Sequence, residues 1–343
     1  IAAAGGIPLL VQVLTTSANN SKEVSAMQLC ALAACAVWRM TEANPANQEA
    51  MFKAGVIVPL VSVLASPLPE MQSNAAAAIA SLARDNTDNQ AAIARAGGIV
   101  PLCTLVRDGS PDTKDQSASA LWALASNNAP NKATIAKLGG IEPLVGLLMY
   151  AQSETSSINA AGALSALAAQ HSDNRLAITK RLVAVLSMKA TPARASRLLS
   201  ALAALCDSEP TNQVAIAKAG GVQHLIVWLS NPDEGVQTQA ARAMLAVASN
   251  NMTTQALVGK LGGIPHLVAL LAGTGLLETR EHASCALWHL ASIEENRAGI
   301  VEAGAIPHLV NMLVAAHDRM VAAQLATLLL CRLGEGSGAG QAR

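Results

Sequence analysis

A glycine-bearing motif returns along the chain about every 42 residues, and this period limits the possible fold more tightly than any other feature. The copies read GGIPLL from Gly5, AGVIVPLV from Ala54, GGIVPLC from Gly97, GGIEPLV from Gly139, GGVQHLI from Gly220, GGIPHLV from Gly262 and GAIPHLV from Gly304. Anchored on leucines Leu9, Leu60, Leu102, Leu144, Leu182, Leu225, Leu267 and Leu309, the steps are 51, 42, 42, 38, 43, 42 and 42. A second ladder runs through Asn47, Asn89, Asn131, Asn174, Asn212, Thr254 and Asn296, with steps of 42, 42, 43, 38, 42 and 42. Two landmarks with one period define an array of units, none of which can bury its apolar face alone.

Each unit reads as three helices. In the unit from Asn131, that asparagine is expected to cap the first helix, since its side-chain oxygen can accept from free amides of the first turn. KATIAKL then stops at Gly139-Gly140, where glycine can take the left-handed conformation that ends a helix. Pro143 suits the start of a second helix carrying Leu144, Val145, Leu147 and Leu148. A polar turn follows, and Ile158, Ala161, Leu164 and Leu167 have the spacing of a third helix. Composition agrees. Hydrophobic residues make up 52% of the 343 residues but aromatics only 2%, so alanine and leucine, both strong helix formers, supply the apolar content.

The unit NKATIAKLGGIEPLVGLL, followed by a helix ending in ALSALA, resembles the armadillo repeat. The resemblance implies an all-α fold, a right-handed α-α superhelix of about eight three-helix repeats. Their bounds are about 1–44, 45–86, 87–128, 129–171, 172–208, 209–251, 252–293 and 294–334, in a single solenoid over 1–334 with a flexible tail over 335–343. Two units are irregular. From Leu9 to Trp38 is 29 residues, against 20 or 21 for the equivalent distance elsewhere, so about nine extra residues lengthen a loop or the third helix of the first unit. In the fifth unit ITKRLVAVL lacks the glycines, so its first two helices are expected to fuse or to meet at an altered angle.

The armadillo resemblance also implies that third helices line a concave, protein-binding face. One position there holds Trp38, Ala80, Trp122, Ser165, Ala203, Leu245 and Trp288. Tryptophan on alanine-rich helices gives large contact area at low entropic cost, as interface anchors do, or it packs between units. Trp228, on a second helix, is expected in the core. One turn beyond the Trp register lie Glu42, Arg84, Ser126, Ala169, Asp207, Ser249 and Ser292; seven residues before it lie Ser73, Asp115, Ile158, Ser196, Thr238 and Glu281. The expected binding residues are Trp38, Trp122 and Trp288 as anchors, with Glu42, Arg84, Asp115, Ser126, Asp207, Glu281 and Ser292 setting orientation. Nuclear import adaptors carry Asn one turn beyond the Trp register, and none of the seven residues here is Asn. The expected function is a scaffold for protein–protein interaction, binding an extended peptide or helix. An import-adaptor-like carrier and the substrate-recognition segment of a larger protein such as a ubiquitin ligase are the alternatives.

Lys+Arg and Asp+Glu are both 23, so the basic footprint of a nucleic-acid binder is missing. No apolar run approaches the roughly 18 residues that cross a bilayer, and no signal-like start is visible, so no transmembrane segment and a cytoplasmic or nuclear location are expected. The six cysteines show no CxxC spacing and read as reduced core residues. His282, Cys285 and His289 share a helix face, but i to i+7 spans about 10 Å, too far for both histidines to hold one ion. His224, His266 and His308 recur at the repeat period and read as structural. The glycine turns lack the Lys-Ser/Thr of a phosphate loop, and no G-x-S-x-G or HExxH pattern occurs, so neither catalysis, a cofactor nor a metal is expected.

Overall fold

The computed structural model describes residues 5–19, 24–187, 190–206, 210–272, 276–314 and 320–334. They form 22 α-helices, and no strand occurs among the described residues. Two compact units separate, residues 1–178 and 179–343. The first opens with α1 (Gly6–Asn19) and α2 (Val24–Thr41). Three helix triples follow: α3 (Pro45–Lys53), α4 (Ile57–Val63) and α5 (Pro69–Ala83); α6 (Thr87–Arg95), α7 (Ile99–Asp108) and α8 (Pro111–Ala125); α9 (Ala129–Lys137), α10 (Ile141–Tyr150) and α11 (Glu154–Ala168). The boundary between the units lies within α12 (Ser172–Leu186). The second unit continues with α13 (Pro192–Cys206), then α14 (Pro210–Lys218), α15 (Gly221–Leu229) and α16 (Glu234–Ala248). It ends with α17 (Met252–Lys260), α18 (Gly263–Ala272) and α19 (Leu277–Leu290), then α20 (Glu294–Glu302), α21 (Ala305–Val314) and α22 (Met320–Gly334).

The third helices carry the core. In the first unit α2, α5, α8 and α11 pack in succession, and in the second α13, α16, α19 and α22 do the same. Their contact faces are alanine-rich: Ala75, Ala78, Ala118, Ala120, Ala240 and Ala243 are fully buried, which lets helix backbones approach closely. Leu60, Leu102, Leu144, Leu225, Leu267 and Leu309 of the second helices are likewise fully buried.

The double glycine does two different jobs. Gly139 has φ +77°, a left-handed conformation in which a side chain would be strained, and its N–H and that of Gly140 close the end of α9 on Ala136 O (3.0 Å) and Ile135 O (2.9 Å). Gly140 has an ordinary φ but no room: a Cβ there would lie 2.7 Å from Ile135 Cγ2 and 3.1 Å from Cys103 Sγ. The chain turns by 80° between α9 and α10 as a result.

The asparagine ladder is structural in a way the sequence reading did not foresee. Asn131 is not the cap of α9. Asn128 is, its side chain accepting from the Asn131 N–H at 3.0 Å; Asn44, Asn86 and Asn251 cap α3, α6 and α17 in the same way. The ladder asparagines sit three residues inside the helix, and from Asn89 onward they are buried, because their amides face the preceding third helix. There they donate to carbonyls that the end of a helix leaves without partners. Asn89 donates to Leu82 O (2.8 Å), Asn131 to Leu124 O (3.0 Å) and Asn174 to Leu167 O (3.2 Å), and the Thr254 hydroxyl donates to Val247 O (2.8 Å).

The next residue reaches forward into the following repeat. Gln48 donates to Ser81 O (2.8 Å), Gln90 to Ala123 O (2.9 Å) and Gln213 to Ala246 O (2.8 Å). The capping residue of the following repeat then donates to that glutamine: Asn128 to Gln90 Oε1 at 2.9 Å and Asn251 to Gln213 Oε1 at 3.1 Å. Lys132 replaces glutamine in one repeat. Its Nζ donates to Ala169 O at 2.5 Å, and burial holds its ammonium below the usual lysine range.

Four further expectations are corrected. Leu9 is not the inward-facing leucine of the first repeat: it is 63% exposed, while Ile7 and Leu14 are buried, so the helical frame puts the motif's equivalent at Leu10. The extra residues of that repeat enter both helices, since α1 has 14 residues against 10 in α7 and α10, and α2 has 18 against 15 in α5 and α8. By length and composition α2 is apolar enough to cross a membrane, contrary to expectation, although Cys30, Ala31, Ala33, Ala34 and Val37 are buried and α1 and α5 pack on it. Cys30, Cys103 and Cys206 are buried, Cys35 and Cys285 half-buried and Cys331 exposed. In the fifth repeat the first two helices do fuse, as the missing glycines imply: α12 runs unbroken over 15 residues.

Asn131→Ala strips a partner from Leu124 O without opening the site to water, so urea unfolding should show a loss of about 1–3 kcal/mol. Lys132→Gln keeps a donor and removes a desolvated charge, so its urea midpoint should equal or exceed that of the parent.

Candidate protein-binding face

Of the expected binding residues, Trp38, Glu42, Arg84, Trp122, Ser126, Trp288 and Ser292 fall near the C-terminal turns of the third helices, while Asp115 and Glu281 lie near the starts of α8 and α19. The turns after α5, α8, α11 and α16 share one backbone device. An extended cap residue (Arg84, Ser126, Ala169 or Ser249) precedes a left-handed residue (Asp85, Asn127, Gln170 or Asn250, φ 54–55°), and the next first helix begins at once.

Arg84, Trp122 and Ser126 are brought together. With Asp85, Ser119 and Ala123 they line a cleft of about 230 Å³ in the first unit. Trp122 is 36% exposed. Its other side packs on α11: a Cβ at Gly162 would lie 2.7 Å from three atoms of the indole ring, so only glycine lets the ring lie this close to the helix. Trp122 therefore both packs between repeats and offers surface. Gly162 is a residue the sequence reading missed, and its signal was a lone glycine within an alanine-rich helix.

The other two tryptophans are half-buried, each beneath a guanidinium. Arg39 lies 4.2 Å above the Trp38 ring and Arg332 of α22 lies 4.3 Å above Trp288, with His289 edge-on to Trp288 at 4.9 Å. Arg39 also approaches Glu42 at 3.8 Å; both are exposed, and such pairs add little stability. The Ser126 hydroxyl donates to Trp122 O (2.9 Å) and that of Ser292 to His289 O (2.7 Å), so each offers a ligand only acceptor capacity. Glu281 is half-buried on α19.

Asp115 is engaged within the array. Its carboxylate accepts from the Ser156 hydroxyl and, at 3.3 Å, from that of Ser153, while its backbone oxygen accepts from Asn159 at 3.1 Å. It ties α8 to the start of α11. Asp207 lies outside the described residues. Trp228 is half-buried rather than in the core, its indole N–H donating to Leu186 O at 3.3 Å.

Among the described residues no group of three His, Cys, Asp or Glu side chains could hold a metal ion. His266 shares a 2.7 Å hydrogen bond with Ser230 at the start of a second helix. Burial pushes His282 and His289 below the usual histidine range, and the Arg332 charge adds to this at His289.

The family model for the armadillo/β-catenin-like repeat matches residues 44–84, 86–126, 128–169, 209–245 and 250–292, more than half of the chain. The chain belongs to the armadillo repeat family. The matched segments lie on the helix triples from α3 to α11 and from α14 to α19; the fused repeat and the first and last repeats fall outside them. Among solved structures, an engineered protein is 29% identical with a TM-score of 0.67, covering 97% of this chain and 80% of its own. A designed armadillo repeat protein is 23% identical with a TM-score of 0.51, covering 83% of this chain and 99% of its own, which supports the fold. No curated protein matches. Membership of the armadillo family places the chain among protein-binding scaffolds.

The two histidines give a test of the site's electrostatics. Their folded pKa values lie below the unfolded value of about 6.5, so the unfolded chain binds more protons as pH falls through that region, and stability is lost. The urea midpoint should drop between pH 7.5 and pH 5.5, and the drop should be smaller in His282→Gln/His289→Gln.

Proposed function

We propose that this armadillo array is an interaction scaffold that holds an extended peptide or a helix of a partner protein along the C-terminal turns of its third helices. The observation that carries the reading is Trp122: a large aromatic surface, fixed from behind by Gly162 and open into a cleft shared with Arg84 and Ser126. A rigid aromatic in a preformed cleft loses little entropy on binding, which is what makes such residues energetic anchors. Trp38 and Trp288 serve as further anchors, beneath guanidinium groups that a ligand can displace or stack upon. Glu42, Arg84, Asp207 and Ser292 set ligand orientation at these turns, with Ser126 as an acceptor, and Glu281 does so nearer the start of α19. Asp115 acts indirectly, by fixing α11 against α8. The positions one turn beyond the Trp register hold no Asn, so the ligand is not expected to be a basic import-signal peptide.

Extended peptides selected from a display library on the parent chain provide the test. Trp122→Ala and Trp288→Ala should each weaken the selected peptides tenfold or more, with helical circular dichroism unchanged. Undiminished binding by a folded Trp122→Ala variant would contradict the reading, and unfolding of that variant would assign the ring to the core.

A further inference from the structure

Within the first unit, the junction between α7 and α10 encloses a second cavity, of about 520 Å³, a volume in the range of small-ligand sites. It opens beside the start of α8, where Lys114 lies about 18 Å along the helix from Ser126, so it is separate from the Trp122 cleft. Pro111, Leu138, Pro143 and Tyr150 give it apolar walls, and Leu138 and Tyr150 are 43% and 58% exposed.

Gly146 forms part of the lining from within α10, where glycine weakens a helix relative to alanine. Packing does not demand it. A Cβ at Gly146 would meet nothing within 4 Å, whereas one at Gly140 or Gly162 would collide. The missing side chain is therefore space that belongs to the cavity.

Lys114 supplies the charge. One repeat earlier the same register holds Gln72, whose amide donates to Ser66 O at 2.7 Å and so closes its own turn. Lys114 is half-buried in the cavity lining, and its ammonium has no hydrogen bond or ion pair among the described residues. Arg107 and Glu142 also line the cavity, but Arg107 is paired with Asp108 at 3.0 Å, and Glu142 makes no ion pair with Lys114. One repeat earlier Thr104 stands at the Gly146 position and Asp108 at that of Tyr150, so the open floor, the ring and the unpaired cation meet at this junction and not at the preceding one.

We infer that this cavity binds a small aromatic carboxylate, its rings over Gly146 between Tyr150 and the prolines and its carboxylate on Lys114. Flat ring faces favour a planar ligand, and a cation held partly out of water lacks the anion that would offset its desolvation. An extended peptide runs across several junctions; the cavity occupies one, so its ligand is a small molecule.

Titration of the chain with naphthoate, followed by backbone amide NMR shifts, tests this. Shifts should gather at Lys114, Leu138, Gly139 and Gly146 and saturate below about 10 mM, as a ligand of this size allows. Naphthamide has the same shape without the charge and should bind about fivefold more weakly or worse. Lys114→Gln should weaken naphthoate to the level of naphthamide. Gly146→Leu fills the floor with a better helix former, so its urea midpoint should equal or exceed that of the parent while naphthoate binding is lost. Four results would each overturn the inference: no saturable shift in the parent, shifts gathered at Arg84 and Ser126 instead, an unchanged preference for naphthoate in Lys114→Gln, or binding that persists in a folded Gly146→Leu chain.

Discussion

The structure depends on how the last carbonyls of each third helix find donors. A helix ends with four such oxygens unsatisfied, and in a stack of helices these ends are buried. Side-chain amides supply the answer twice over. The ladder asparagine reaches back to its own third helix, as Asn89 does to Leu82 O, and the glutamine beside it reaches forward to the next, as Gln90 does to Ala123 O. Gln90 also donates to Ala83 O (3.1 Å) and accepts from Asn128, so a single side chain touches two third helices and the next cap. Left unpartnered, each such group would cost about 1–3 kcal/mol. Hence neighbouring repeats hold one another in register through polar contacts, while the alanine faces set only how closely they approach.

Much of this was legible in the sequence because repetition turns weak signals into strong ones. The 42-residue period, the glycine stops and the leucine anchors gave the helix triples, and the missing glycines of ITKRLVAVL left fusion or an altered angle, of which α12 shows fusion. What sequence could not resolve was direction. An asparagine near a helix start reads as a cap, yet Asn128 and Asn131 are both near that start, and only the fold shows which one points into the preceding helix. Leu9 and Leu10 pose the same problem one residue apart, since a frame shift of 100° decides which faces the core.

The candidate face was legible in part for a related reason. Periodicity placed Trp38, Trp122 and Trp288 in one register, but not their surroundings. Gly162 and the stacked Arg39 and Arg332 belong to no ladder, and they make the three indoles unequal: Trp122 opens into a cleft, and the others lie under a cation. Asp115 shared a register with solvated residues, yet two partners on α11 and its cap Ser153 draw it into the array.

The central claim is that buried amides couple neighbouring repeats. Native-state hydrogen exchange on Gln90→Ala measures that coupling directly, because Gln90 lies on α6 while its partners lie on α5, α8 and the cap of α9. Amide exchange should accelerate together in α5, α8 and α9. Acceleration confined to α6 would show that the repeats are held by apolar packing alone.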